Sequence, residues 1–141
     1  MGDNLDNLKL MIRKYKPDGI DWMNFVLTRR NPFTFHHIVP KSDGGEDSVD
    51  NGAILTRRAH DLIHILEIAC PDAYIDLQNV FIKINESKHP ITDDVLEEID
   101  DILYNVFTHS GYDFKIDVDL SLFSEIYYKN SKKNKGKVLR K

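Results

Sequence analysis

Four of the six histidines in this chain, His36, His37, His60 and His64, fall in one short stretch, and their spacing restricts what that stretch can become. His60 and His64 are four apart within Arg57 to Ala69, a run free of Gly and Pro that predicts a helix ended by Pro71. On such a helix the two imidazoles leave from one face, with Cβ atoms about 5–6 Å apart. Phe33 to Val39 is rich in aromatic and β-branched residues and predicts a strand, so the neighbours His36 and His37 point to opposite faces. Between these segments, Lys41 to Asp47 forms a loop around Gly44-Gly45, and the apolar run Ala53 to Leu55 can pair back as a second strand. The local unit is therefore a hairpin followed by a helix, with imidazoles supplied by both.

This arrangement carries chemistry. Two imidazoles one turn apart can bind a metal ion, at about 2.0–2.1 Å if it is zinc. One histidine of the strand pair can join them, which leaves its neighbour unliganded and free to act as a base near neutral pH. Hydrolysis needs that division between an electrophile and a separate base.

The segments His36-His37-Ile38-Val39-Pro40, Gly44-Gly45, Asp50-Asn51 and His60-Asp61-Leu62-Ile63-His64 resemble, in type and order, the HNH endonuclease motif over residues 34–66. The likeness is to the three-histidine type, similar to the nuclease colicins. It implies a ββα-metal core in which His36, His60 and His64 ligate one divalent ion. His37 is then the general base, and Asn51 braces the loop and orients it. The implied activity is that of a metal-dependent DNA endonuclease or nickase leaving 5′-phosphate and 3′-hydroxyl ends. Three imidazoles favour Zn²⁺ or Ni²⁺ for affinity, whereas Mg²⁺ or Mn²⁺ can support activity. No small-molecule cofactor is implied. A second reading is a non-catalytic, metal-stabilised module that binds DNA or protein. His37 separates the two, because a structural ion has no use for an unliganded histidine beside a ligand.

The chain departs from the family pattern in three places. Thr34 and Phe35 stand where many relatives carry an acid before the first His. Thr56 and Ala59 stand where others place cysteines for a structural zinc, so the hairpin is expected to be held by packing alone. Gly52 follows Asn51 where an apolar residue is usual.

Charge bears on the DNA reading. Lys129 to Lys141 carries seven bases and no acid, so removing them from the net −4 leaves −11 on residues 1–128. An acidic body is not the usual footprint of a nucleic-acid binder. The DNA contacts must then be local, and Arg29, Arg30, Arg57 and Arg58 are the candidates for phosphate. A helix start favours phosphate through its free N–H groups, and guanidinium adds paired hydrogen bonds.

The remaining sequence sets the frame. With 141 residues, 41% of them apolar, a sizeable core is possible without staples. A single cysteine, Cys70, excludes an intrachain disulfide and suits a reducing cytoplasm. No apolar run approaches the roughly 18 residues of a membrane span, and the polar start is not a signal peptide, so no membrane partner is expected. Helical spacing in Leu5, Leu8, Met11 or Ile12, and Tyr15 predicts a first helix, closed by the Lys16–Gly19 turn. Further helices are predicted over Asp72–Asn85 and from Thr92 through Phe107, with a short strand at Phe114–Val118 and a last amphipathic element over Leu120–Tyr128. Residues 21–30 fit either a short helix or a strand. The expected fold class is α+β, mostly helical: a ββα-metal core flanked by N- and C-terminal helices. Residues 1–128 are expected to form a single HNH nuclease domain, with 129–141 a flexible basic tail. A dimer is an open possibility, since one site per chain cuts both strands only as a pair or in two successive nicks.

Overall fold

A computed structural model describes the backbone of residues 3–138 and the side chains of residues 4–130. Its elements run α1 (Asp3–Tyr15), β1 (Phe33–His37), β2 (Gly52–Thr56), α2 (Arg57–Ala69), α3 (Pro71–Ser87), α4 (Asp93–Phe107) and α5 (Ser121–Val138). The fold is α+β and mostly helical, as expected. No described helix is long and apolar enough to cross a membrane.

The two strands form an antiparallel hairpin in which His36 faces Ala53 and His37 faces Gly52. All five residues of β2 are buried, which is why its sequence is continuously apolar rather than alternating. One face of the hairpin lies on α1. Beside Gly52, a Cβ would come 2.4 Å from the Phe35 ring and 2.7 Å from Met11 Sδ. Glycine therefore replaces the usual apolar residue here because Phe35 and Met11 already fill that space.

The other face receives α2 and α3. Thr56 caps α2 by accepting a hydrogen bond from Ala59 N, and Pro71 opens α3 as soon as α2 ends. Trp22, Tyr15 and Phe81 fill the centre, with the Tyr15 and Trp22 rings edge-on at 5.1 Å. Asn85 of α3 ties the layers together. Its carbonyl accepts from Tyr15 Oη at 2.8 Å, and its amide donates to Gly52 O at 2.7 Å and Val49 O at 2.9 Å.

Residues 21–30 adopt neither regular form. They fold as a turn, buried from Asp21 to Phe25 and exposed from Leu27 to Arg30, closed by the isolated bridges Ile20–Val26 and Thr28–Asn31. At its start the fully buried Asp21 accepts from Met23 N and Phe25 N through one oxygen, and from Thr56 N and Oγ1 through the other. The hairpin is thus held by a carboxylate clamp as well as by packing, which corrects the expectation of packing alone. Burial pushes the Asp21 carboxyl up to about 6 despite these donors.

The strand expected at Phe114–Val118 does not form. This segment pairs with the end of α2 instead: Lys115 N donates to Ala69 O, and Asp113 O accepts from the Cys70 thiol. Phe114 stacks on His109 at 4.1 Å, so its apolar surface is covered without a sheet. Helix α5 extends into the basic stretch, and the side chains beyond residue 130 lie outside those described.

Candidate metal centre

The ligand atoms of His36, His60 and His64 lie within 4.8 Å of one another. β1 delivers the first and α2 the other two, whose rings stack at 4.9 Å in keeping with their spacing of four. Exposure rises across the group, from His36 at 2% to the His64 side chain at 58%, so the cluster opens outward from the core.

Hydrogen bonds decide which nitrogen each ring offers. Gln78 spends its amide on Ile38 O and Tyr74 Oη, so its Oε1 accepts from His36 Nε2–H at 2.7 Å. That leaves His36 Nδ1 as a lone pair, buried and, among the described residues, without a hydrogen-bond partner. Thr34 donates its hydroxyl to Leu55 O at 2.7 Å and can therefore only accept from His60 Nδ1–H at 2.8 Å, which frees His60 Nε2. Glu67 lies 3.5 Å from His64 Nδ1 and favours the same tautomer there. Metal-binding imidazoles are held in this way, one nitrogen fixed by an acceptor and the other presented.

Electrostatics agree with ligation. Burial lowers His36 to about 3, and burial with the neighbouring His64 lowers His60 to about 4. Both rings are therefore neutral at physiological pH, the form that binds a metal. A buried orphan nitrogen on His36, beside the ligand atoms of His60 and His64, fits a divalent ion.

His37 sits outside this cluster. It leaves β1 on the face opposite His36 and packs edge-on against Phe35 at 5.0 Å. It nevertheless reaches the same cavity of about 330 Å³, lined by His36, His37, Lys41, His60, His64 and Tyr74 among others. Its Nε2 lies 2.5 Å from Asp47 Oδ1, and the second oxygen of Asp47 is 3.1 Å from Lys41 Nζ.

Among the described residues Asn51 makes no hydrogen bond to His37. Its Oδ1 accepts from Val39 N at 2.9 Å, and its amide donates to Val39 O and Glu46 O, each at 3.0 Å. It thereby pins both ends of the loop that carries Asp47. Gly45 makes this possible, because a Cβ there would lie 1.7 Å from Val39 O.

The four arginines share one corner. Arg57 and Arg58 open α2, and the turn bearing Arg29 and Arg30 is docked there by Arg57 N to Pro32 O at 3.0 Å and Arg58 N to Asn31 Oδ1 at 2.8 Å. Arg29, Arg30 and Arg57 are exposed and Arg58 is half-buried. Among the described residues none of the four side chains has an ion-pair partner.

Sequence reasoning missed Asp47, Gln78, Thr34 and Glu67. Thr34 was within reach, since it lies two residues from His36 and so on the same strand face. Gln78 left a fainter mark as a polar residue inside the stripe of Tyr74, Leu77 and Phe81. Asp47 stands in a loop and has no periodicity to mark it.

Residues 22–64 match the family model of the HNH endonuclease. The matched span contains the hairpin, the loop and both helical histidines. No curated protein and no solved structure matches the chain.

Proposed function

We propose that the protein is a metal-dependent HNH endonuclease or nickase that hydrolyses DNA phosphodiesters to 5′-phosphate and 3′-hydroxyl ends. The observation that carries this reading is a three-imidazole cluster whose ligand atoms lie within 4.8 Å of one another, beside a fourth histidine held apart from it in the same cavity. His36, His60 and His64 would hold one divalent ion, Zn²⁺ or Ni²⁺ by ligand type and Mg²⁺ or Mn²⁺ as alternatives for activity. When bound, the ion supplies electrophilic stabilisation of the charge that develops on the phosphate and the leaving oxygen. His37 takes the proton of the attacking water. A bond forms from the water oxygen to phosphorus, the bond to the 3′ oxygen breaks, and that oxygen is protonated from solvent. Asn51 holds the loop beside His37.

The unpaired guanidinium groups at the head of α2 offer phosphate contacts one turn from His60, so the acidic body does not oppose DNA where it matters. The basic residues from Lys129 onward add sequence-neutral attraction. A non-catalytic module would need the three ligands but not His37.

Supercoiled plasmid incubated with the protein and a panel of divalent ions should be nicked, and EDTA should stop it. His37→Ala should abolish cutting and keep Zn²⁺ binding in a calorimetric titration, whereas His60→Ala should lose both. Loss of the ion from His37→Ala would overturn the division between ligands and base. A wild-type protein that binds metal but cuts nothing would favour the non-catalytic module.

A further inference from the structure

We propose that Asp47 is the positioning residue of His37, fixing its tautomer and the aim of its free nitrogen. This rests on the nuclease reading above and adds a residue that the motif itself does not name.

The geometry is specific. A carboxylate accepts hydrogen bonds and cannot donate them, so the 2.5 Å contact from His37 Nε2 to Asp47 Oδ1 places the ring hydrogen on Nε2. Nδ1 is left with its lone pair. Phe35 packs edge-on against the same ring, which restrains its swing. Asp47 is itself held. Its second oxygen is 3.1 Å from Lys41 Nζ, and the carbonyl of the preceding Glu46 accepts from the Asn51 amide at 3.0 Å. Hydrogen bonds from His37 and Lys41 keep the Asp47 carboxyl below the usual range, so it stays an acceptor.

An ordinary surface ion pair would not require this construction. Here the loop closes on itself through Gly44, at φ 89°, and through Gly45, whose missing side chain admits the Val39 carbonyl. That closure brings a residue ten positions downstream onto the ring. Asn51 then acts through Asp47: it pins the loop, and the loop holds the imidazole. During the reaction Nδ1 accepts the water proton, Nε2–H stays on the ring, and Asp47 remains ionised beside the cation so formed. Holding a general base on target contributes on the scale of about 10²–10⁴-fold in rate.

The test compares wild type with Asp47→Ala and Asp47→Asn in the full chain loaded with Zn²⁺. Steady-state nicking of supercoiled plasmid should show kcat lower by about 100-fold in Asp47→Ala at unchanged KM, with unchanged Zn²⁺ affinity. Asp47→Asn keeps an acceptor oxygen and should recover to within about tenfold of wild type. Nitrogen-15 correlation spectra at mildly alkaline pH read the ring directly. His37 should be the Nε2–H tautomer in wild type and an average of both tautomers in Asp47→Ala. Wild-type cutting by Asp47→Ala, or a His37 spectrum indifferent to the substitution, would overturn the proposal. An inactive wild type whose His37 spectrum still depends on Asp47 would sink the nuclease reading and leave the tether standing.

Discussion

Replacing Gln78 with Leu isolates the role of an acceptor behind a ligand, because Gln78 touches the candidate metal centre only through His36. The side chain is buried and makes three hydrogen bonds: from His36 Nε2, to Ile38 O and to Tyr74 Oη. Leucine fills a similar volume and makes none of them. The buried His36 Nε2–H and the Ile38 carbonyl then lose their partners, at about 1–3 kcal/mol each. Fold stability should fall by about 2–5 kcal/mol, which circular dichroism with denaturant can measure. The effect on metal is separate. Without the Gln78 oxygen, His36 can place its hydrogen on Nδ1, the nitrogen otherwise left free for a ligand bond, and affinity should drop about 10–100-fold. Gln78→Glu distinguishes this from general damage. It keeps an acceptor for His36 Nε2–H but sets a carboxylate against the Ile38 carbonyl, so it should lose stability and still bind Zn²⁺ at least as tightly as wild type. Calorimetric titration of the three proteins decides it. Zn²⁺ affinity in Gln78→Leu within about twofold of wild type, or weaker binding by Gln78→Glu than by Gln78→Leu, would refute the reasoning.

Other substitutions probe other links. Asn51→Asp replaces the amide donors to Val39 O and Glu46 O with oxygens that repel them, so plasmid cleavage should fall about 10²-fold while Zn²⁺ titration stays unchanged; near-normal cutting would remove the loop brace from the mechanism. Removing residues 129–141 should weaken binding to any DNA sequence about equally and flatten its salt dependence, and an unchanged salt slope would assign the stretch to solubility alone. Asp21 should make stability fall as pH rises: moved from 3.8 in the unfolded chain to about 6 when folded, it binds its proton more tightly in the native state. Its contribution is full below about pH 4 and declines by about 3 kcal/mol through pH 6, at about 1.4 kcal/mol per tenfold change in proton affinity. Denaturant curves for Asp21→Asn should lack that slope, and parallel pH profiles for the two proteins would show that Asp21 does not titrate in this window.

The legible parts of this chain were those with a period or a punctuation mark. α2 could be read to the residue because its run carries no Gly or Pro and Pro71 stops it. His60 and His64 were legible with it, since a spacing of four puts them on one face without any tertiary information, whereas strand alternation left His36 and His37 as alternatives and the resemblance chose between them. Residues 21–30 were not legible. Their conformation comes from one buried carboxylate bonded to Thr56, a partner 35 residues away that no local pattern encodes. Phe114–Val118 misled for a related reason. Its alternation is real, but a strand needs an edge to pair with, and the α2 terminus supplied hydrogen bonds instead.

The same contrast separates the motif from the machine around it. Spacing alone brings the imidazoles near one another, but each ring still has two nitrogens and could present either. The choice is made by Thr34 from β1, Gln78 from α3, Glu67 from α2 and Asp47 from the loop, none of which belongs to the pattern of histidines and asparagine. Gln78 lies beyond the matched span of residues 22–64. So does Asn85, which fastens α3 to Gly52 at the end of the hairpin and receives the Tyr15 hydroxyl from α1. A fragment cut to the motif would keep the four histidines yet leave His36 without its acceptor and the hairpin without α1 or α3. The unit able to hold one tautomer at each ring therefore runs at least from α1 through α3, and the motif is the part of it that a spacing rule can see.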